Sequence, residues 1–336
     1  MIQRCAVLYL AHAWSPIHTL RFQRLQRQTE SIADCYVLYQ SATTEPPDDP
    51  RNAARDAIHV FQAPELPRRL GYRYLTQDGL VPGCAHFPLI DFSKSYPYRH
   101  YWLIEGDVEF SGNWATLLRA GSATDAGLLA SHLRRHRDAP DWVWWGSLRA
   151  PLPARLTIPR QIGKLSKAFL PLYRISSDAL QLIDRLHRRG CTGHCEVLLP
   201  TAIGNAGLGV VDLNSLNALY RGTEQDPASD VASRSTLRWR PEISLAEFVR
   251  TFTADTIYHP VKAEWTFDGT NVVVAQPNGY AALSLDAPNL PQIRATSTAL
   301  RDPQHTLSVQ PRRHDSAGPF TLQVARRLWR RPASPP

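Results

Sequence analysis

Short apolar runs, each the length of a buried strand, alternate with polar stretches that carry apolar residues at helical spacing. Residues 5–10 (CAVLYL) are apolar and partly β-prone, as an interior strand of a parallel sheet requires. Ser15 before Pro16 then opens a helix whose Ile17, Leu20, Phe22 and Leu25 turn toward a core. Residues 35–39 (CYVLY) read as a second strand. Strand, helix, strand in this order is a βαβ unit, the opening of a doubly wound sheet.

Residues 41–55 are polar and proline-rich and predict a loop, and residues 57–61 (AIHVF) predict a short third strand. Residues 101–104 (YWLI) form an apolar strand that stops at Glu105-Gly106-Asp107. A helix is expected from Asn113, with Trp114, Leu117 and Leu118 inward, followed by a central strand at 126–130. Residues 140–163 hold four prolines and Trp142, Trp144 and Trp145, which predicts an irregular, substrate-facing segment. Ser176 or Ser177 caps a helix that runs to Arg189, with Gly190 as its stop. Residues 193–211 repeat the strand-and-helix theme less clearly. Beyond residue 263 the pattern becomes short β-like pieces with turns at Asp268-Gly269 and Asn278-Gly279. The expected fold class is therefore α/β, a mostly parallel central sheet with helices on both faces. The expected division is a main domain at 1–263, a β-like extension at 264–312 and a basic tail at 313–336.

Composition narrows the class. Of the 336 residues 43% are hydrophobic and 20% charged, ordinary for a folded globular chain. Twenty-seven prolines exceed the usual share of about 5% and predict long connections. No run approaches the roughly 18–20 apolar residues of a membrane span, and Arg4 interrupts the first apolar run, unlike a signal peptide. Five scattered cysteines (Cys5, Cys35, Cys84, Cys191, Cys195) do not form a disulfide framework, so a reduced, cytoplasmic setting is expected. The net charge of +8 is concentrated in two clusters, Arg134/Arg135/Arg137 and Arg326/Arg327/Arg330/Arg331. No nucleic-acid-binding motif accompanies them, so no nucleic-acid partner is expected. A basic surface also suits diphosphates or anionic lipid.

Glu105-Gly106-Asp107 is the strongest local chemical signal. Two carboxylates stand one residue apart where the chain leaves the carboxyl edge of the sheet, the edge at which open α/β sheets bind ligands. One or two carboxylates can hold Mg²⁺ or Mn²⁺ against phosphate oxygens, and Gly106 permits close backbone approach. An acidic loop at a strand end is the alternative reading.

The run from His100 through Glu105-Gly106-Asp107 to Trp114 resembles the D-x-D region of a group of bacterial glycosyltransferase-like proteins of the GT-A fold. Pro82–Leu89, Gly193–Thr201 and Tyr258-His259-Pro260-Val261-Lys262 are similar to the same group, in the same order. The resemblance implies a GT-A, Rossmann-like fold, a nucleotide-diphosphate sugar as donor and Mn²⁺ or Mg²⁺ as cofactor. By the same resemblance Glu105, Asp107 and His259 hold the ion, and Lys262 meets the diphosphate. It also implies that Glu196 faces the acceptor, where a carboxylate would take the acceptor hydroxyl's proton. A cap or ion pair at the following helix is the other reading of Glu196. Glu105 stands where the commonest form has Asp.

Asp91 is a candidate for the donor's ribose or sugar, or else a helix cap. His12, after the first strand, is placed where the nucleotide base would lie. The three tryptophans are candidates for stacking on sugar rings or for core packing. Cys191-x-x-His194-Cys195 lacks the second ligand pair that structural zinc requires. In the tail, Leu322, Leu328 and Trp329 beside four arginines raise the expectation of a basic amphipathic helix lying on an anionic membrane, at its inner face. The function these readings imply is a metal-dependent glycosyltransferase acting on a carbohydrate or lipid-linked acceptor. The alternatives are a non-catalytic nucleotide-sugar-binding protein on the same scaffold, or a nucleotidyltransferase. The second would normally carry a glycine- and lysine-rich phosphate loop after the first strand, where this chain has Ala11–Pro16.

Overall fold

Strand β1 (Cys5–Ala11) is bonded on both edges, to β2 (Ala33–Gln40) and to the strand at His100–Glu105, and its side chains alternate between two cores. Ala6 and Leu8 pack with Leu38, Tyr101 and Leu103 on one face. Val7 and Tyr9 pack with Val37, Trp102 and Ile104 on the other. Burial on both faces explains why these strands read as continuous apolar runs rather than as alternating ones.

The computed structural model describes residues 4–43, 48–55, 57–72, 83–151, 158, 162–216, 219–221, 235–245, 247–248 and 252–262. Beyond these it describes strand segments at 265–267, 272–276, 279–283, 307–309 and 320–322. The main sheet adds β3 (Ile58–Phe61), β4 (His100–Glu105), β6 (Leu128–Arg135), β7 (Ser166–Ser176) and β8 (Val210–Asp212). Its order is β3-β2-β1-β4-β7-β6-β8, and every neighbouring pair is parallel except those made by β7. The fold is thus the expected α/β class. Two-residue strands β5 (Glu109–Phe110) and β9 (Ile243–Ser244) lie outside this sheet.

Helices α1 (Pro16–Thr29) and α5 (Trp114–Ser122) cover the face of Val7 and Trp102, through Phe22, Leu25, Leu117 and Leu118. Helices α3 (Leu66–Leu70), α4 (His86–Ser95), α6 (Ser177–Arg188) and α7 (Cys195–Asn205) cover the face of Leu8 and Leu103. Asn113 caps α5 by accepting from the Ala115 amide at 2.8 Å, and Ser176 caps α6 by accepting from that of Ala179 at 3.2 Å. All five cysteines are free thiols.

Three expectations need correction. The stretch read as a loop at 41–55 contains a helix, α2 (Asp48–Ala54), in which Asp48 and Asp49 favour the N-terminus and Pro50 falls in the tolerated first turn. The strand read at 126–130 begins at Leu128 and runs on to Arg135 through polar residues, paired along its edge with β7. Phe320–Leu322, read as the start of a helix, is a strand, β16, paired antiparallel with β15 (Leu307–Val309). The rest of the tail helix expectation lies outside the described residues, as do the Asp268-Gly269 turn and Asn278.

The chain divides into two compact units, one of residues 1–243 with 252–262, the other of 244–251 with 263–336. The second contains a three-stranded antiparallel sheet of β12 (Trp265–Phe267), β13 (Val272–Gln276) and β14 (Gly279–Leu283), together with the β15–β16 pair. Among the described residues no helix is long and apolar enough to cross a membrane.

Candidate metal centre

β4 ends at Glu105, and a turn closed by the Val108 amide on the Glu105 carbonyl, at 3.0 Å, presents Gly106 and Asp107 at the carboxyl edge. The chain from β5 is then knitted to a segment 150 residues later. β10 (Ile257–Tyr258) pairs antiparallel with Phe110 and Glu109, and the Val261 amide donates to the Asp107 carbonyl at 2.8 Å. This pairing brings His259 and β11 (Val261–Lys262) against the turn. Glu105, Asp107 and His259 each offer a ligand atom, all within 4.8 Å of one another.

The protonation pattern of His259 is set by its surroundings. Its Nδ1 lies 2.7 Å from the Arg238 carbonyl, which can only accept, so Nδ1 carries a proton. Nε2 therefore faces Glu105 Oε2 at 3.5 Å and Asp107 Oδ1 at 3.4 Å. A bare Nε2 lone pair pointed at two carboxylates would be repulsive, so the position calls for a proton or a cation. Burial alone would lower the His259 pKa, but the carboxylates of Asp107 and Glu105 raise it to about 10. Burial would raise that of Asp107, yet His259 and Lys262 hold it well below the usual carboxylate range. An imidazole fixed by a carbonyl at Nδ1, with Nε2 beside two carboxylates, is a donor set that suits Mn²⁺ or Mg²⁺. The residues present therefore fit the ion implied by the sequence resemblance.

Lys262, half-exposed, places Nζ 2.5 Å from Asp107 Oδ2. Beneath the turn, buried Arg21 from α1 holds three pieces at once. It donates to Glu109 Oε1 at 2.7 Å, to the Gly106 carbonyl at 2.7 Å and to the Val261 carbonyl at 3.1 Å. Tyr9 Oη also donates to the Gly106 carbonyl, at 2.9 Å. His18 lies over Gly106, where a Cβ would approach its Cδ2 to 3.1 Å, and its Nδ1 is 2.7 Å from Ser15 Oγ. Burial, helped by the Arg21 charge, keeps the His18 pKa down at about 3.

Sequence reasoning missed Arg21, His18, Tyr9 and Glu109. A signal for Arg21 existed: with Arg24 it recurs at the spacing of Ile17, Leu20 and Leu25, the inward face of α1. An arginine on such a face needs a buried acceptor.

Glu196 lies in the first turn of α7, where His194 Nδ1 accepts from its amide at 3.3 Å. Its Oε1 accepts from the Leu170 amide at 3.3 Å, and Oε2 is 3.7 Å from His194 Nδ1. The preceding residue, Phe169, packs its ring against that of His259 at 5.4 Å. β7 thus links Glu196 to the three-residue cluster. Gly83 accommodates His194 closely, since a Cβ there would fall 2.3 Å from the imidazole. Trp142 and Trp145 are buried, whereas Trp144 is 41% exposed and stacks on His194 at 4.7 Å.

The other candidates are not among these ligands. Asp91 is buried on α4, bonded to His59 Nε2 at 2.7 Å and to Arg69. His12 follows the last residue of β1 at the carboxyl edge, where Leu10 pairs with Glu105, and is exposed. Cys191 and Cys195 are buried. Among the described residues Glu105, Asp107 and His259 form the metal-ligating group, and these cysteines form none.

No protein-family model matches the chain, and no curated protein matches it by sequence. It is similar in structure to a CMP:2-keto-3-deoxy-manno-octonic acid synthetase complexed with CTP. The identity there is 12%, the likeness covers 62% of this chain and 88% of that one, and the TM-score is 0.33. It is also similar to glucosyl-3-phosphoglycerate synthase from Mycobacterium tuberculosis, in complex with Mn²⁺, UDP and phosphoglyceric acid. That identity is 15%, covering 63% of this chain and 69% of that one, with a TM-score of 0.35.

Proposed function

We propose that this chain is a metal-dependent glycosyltransferase that moves a sugar from a nucleotide-diphosphate donor to a carbohydrate or lipid-linked acceptor. The observation that carries the reading is His259, with Nδ1 committed to the Arg238 carbonyl and Nε2 facing Glu105 and Asp107 at the carboxyl edge. A Mn²⁺ or Mg²⁺ ion held there would neutralise the charge that builds on a diphosphate leaving group. Glu105, Asp107 and His259 supply its ligands. Lys262 offers a point charge to a diphosphate oxygen beside them. Gly106, without a side chain, and the His18 ring above it form the surface the diphosphate approaches. Glu196, tied to the centre through β7, would take the proton of the acceptor hydroxyl.

The test is a thermal-shift screen of the full chain against UDP, GDP, CDP, dTDP and their sugars, with Mn²⁺, Mg²⁺ or EDTA. The expected result is a rise in Tm with one nucleotide that disappears in EDTA. Incubation with that nucleotide's sugar should then release the nucleoside diphosphate. Release of pyrophosphate from a nucleoside triphosphate instead would move the assignment to a nucleotidyltransferase. Binding without turnover across a broad acceptor panel would leave a non-catalytic nucleotide-sugar-binding protein.

A further inference from the structure

A cavity of about 560 Å³ opens beside the end of β6, walled by Arg134, Arg135, Lys164, Ser166 and the C-terminal turns of α7. None of these residues belongs to the metal centre. The sheet register creates the charge: Arg135 pairs with Ser166 across β6 and β7, and the His136 amide donates to the Leu165 carbonyl at 3.1 Å. Lys164, two residues before Ser166, lines the same cavity as Arg135. The carboxylate on the cavity wall, Asp138, is already engaged by Arg137 at 3.3 Å. Among the described residues, neither Arg135 nor Lys164 has a carboxylate within 4.0 Å.

Ser166, Thr201 and Asn205 contribute polar groups to the lining. Thr201 Oγ1 donates to the Ser166 carbonyl and accepts from the Ser166 amide, both at 3.0 Å, which pins α7 to the start of β7. Asn205 Nδ2 donates to the Thr201 carbonyl at 2.8 Å. Gly204 and Gly207 bring no side chain into the space. The volume falls in the roughly 300–1,000 Å³ range of small-ligand sites.

We propose that this cavity binds a phosphate-bearing ligand, a diphosphate or phosphate monoester, held by Arg135 and Lys164. The two cations of Arg135 and Lys164 match the charge of such a group. The site is independent of the glycosyltransferase reading.

The experiment is calorimetric titration of the full chain with inorganic pyrophosphate, in EDTA and at low salt, alongside flotation with phosphatidylcholine vesicles containing phosphatidic acid. Pyrophosphate should bind, and the double variant R135Q/K164Q should weaken it at least about tenfold, since charge supplies the affinity. R135K/K164R should keep the binding, which separates loss of charge from loss of fold. D107N should also keep it, because the metal centre is elsewhere. If pyrophosphate does not bind but the vesicles do, and R135Q/K164Q releases them, the phosphate is that of a lipid headgroup. Binding to neither probe, or binding that R135Q/K164Q leaves intact or D107N abolishes, overturns the proposal.

Discussion

Arg21 and Glu109 meet at 2.7 Å with side chains only 6% and 4% exposed, and this pair underlies the candidate metal centre. The same guanidinium holds the carbonyl of Gly106, between the two acidic residues, and that of Val261, next to Lys262. One buried side chain therefore sets the spacing between the turn and the late segment that carries His259.

Replacing Arg21 by Met should leave the Glu109 carboxylate buried without its closest partner, costing about 3–5 kcal/mol of stability. Mn²⁺ binding should weaken with it, although Arg21 is not a ligand. The double variant R21M/E109M should recover much of the stability, because the unpaired charge is gone, while Mn²⁺ binding stays weak. Urea unfolding and Mn²⁺ titration read the two effects separately. Equal stability of R21M and the unmodified chain would show that the pair does not hold the turn.

Asp107→Asn and His259→Ala should each abolish the Mn²⁺-dependent stabilisation by nucleotide. In the unmodified chain that stabilisation reaches about 2.7 kcal/mol at a hundredfold excess of ligand over Kd. Adding EDTA should reproduce the variants' behaviour. An unchanged Mn²⁺ response in Asp107→Asn would remove the carboxylate pair from the ion.

Glu196→Gln keeps the shape and an acceptor oxygen for the Leu170 amide but cannot take a proton. Turnover should fall by about 10²-fold or more while donor affinity is preserved. Initial rates against nucleotide titrations distinguish this from a packing defect, which would weaken both. Full activity in this variant would assign Glu196 to α7 alone.

His86 and His187 set a pH limit on stability. Their Nε2 atoms are 2.8 Å apart, and His187 Nδ1 donates to the Cys191 carbonyl at 2.9 Å, so His187 Nε2 accepts and His86 Nε2 donates. Burial holds both pKa values down, that of His187 to about 4. The unfolded chain, with histidine near 6.5, takes up these protons first as pH falls. Their contribution is complete above about pH 6.5 and is lost toward pH 4, by up to about 1.4 kcal/mol per pH unit for each histidine. Urea unfolding across this window should show that slope, and H86Q/H187Q should flatten it. A slope identical in the double variant would exclude the pair as its source.

Gly83 has φ +88°, and a Cβ there would strike the His194 imidazole at 2.3 Å. Gly83→Ala should cost more than about 1 kcal/mol, because an incompatible backbone conformation adds to the clash. Displacement of His194, which caps α7 beside Glu196, should lower turnover along with Tm. Unchanged Tm and turnover would show that the segment shifts freely.

The sequence by itself determined strands β1, β2 and β4, the helices begun at Ser15, Asn113 and Ser176, and the placement of Glu105-Gly106-Asp107 at a strand end, but not β7 in the middle of the sheet. Those features follow from local causes: residues buried on two faces read as apolar runs, caps need short polar side chains, and a strand's end is where its apolar run stops. The helix at 48–54 was missed because its proline and acidic residues equally suit a loop and a helix's first turn. Only the tertiary structure decided what surrounds each reactive side chain. Lys262 reaches Asp107 across 155 residues, and His259 takes its proton arrangement from the carbonyl of Arg238. Asp91 was legible as an apolar-flanked carboxylate, yet its partners His59 and Arg69 come from other elements. The cavity beside Arg135 depends on a strand register that no local pattern encodes. A side chain's ligand or proton depends on the atoms within a few ångströms of it, and long-range pairing brings those atoms there.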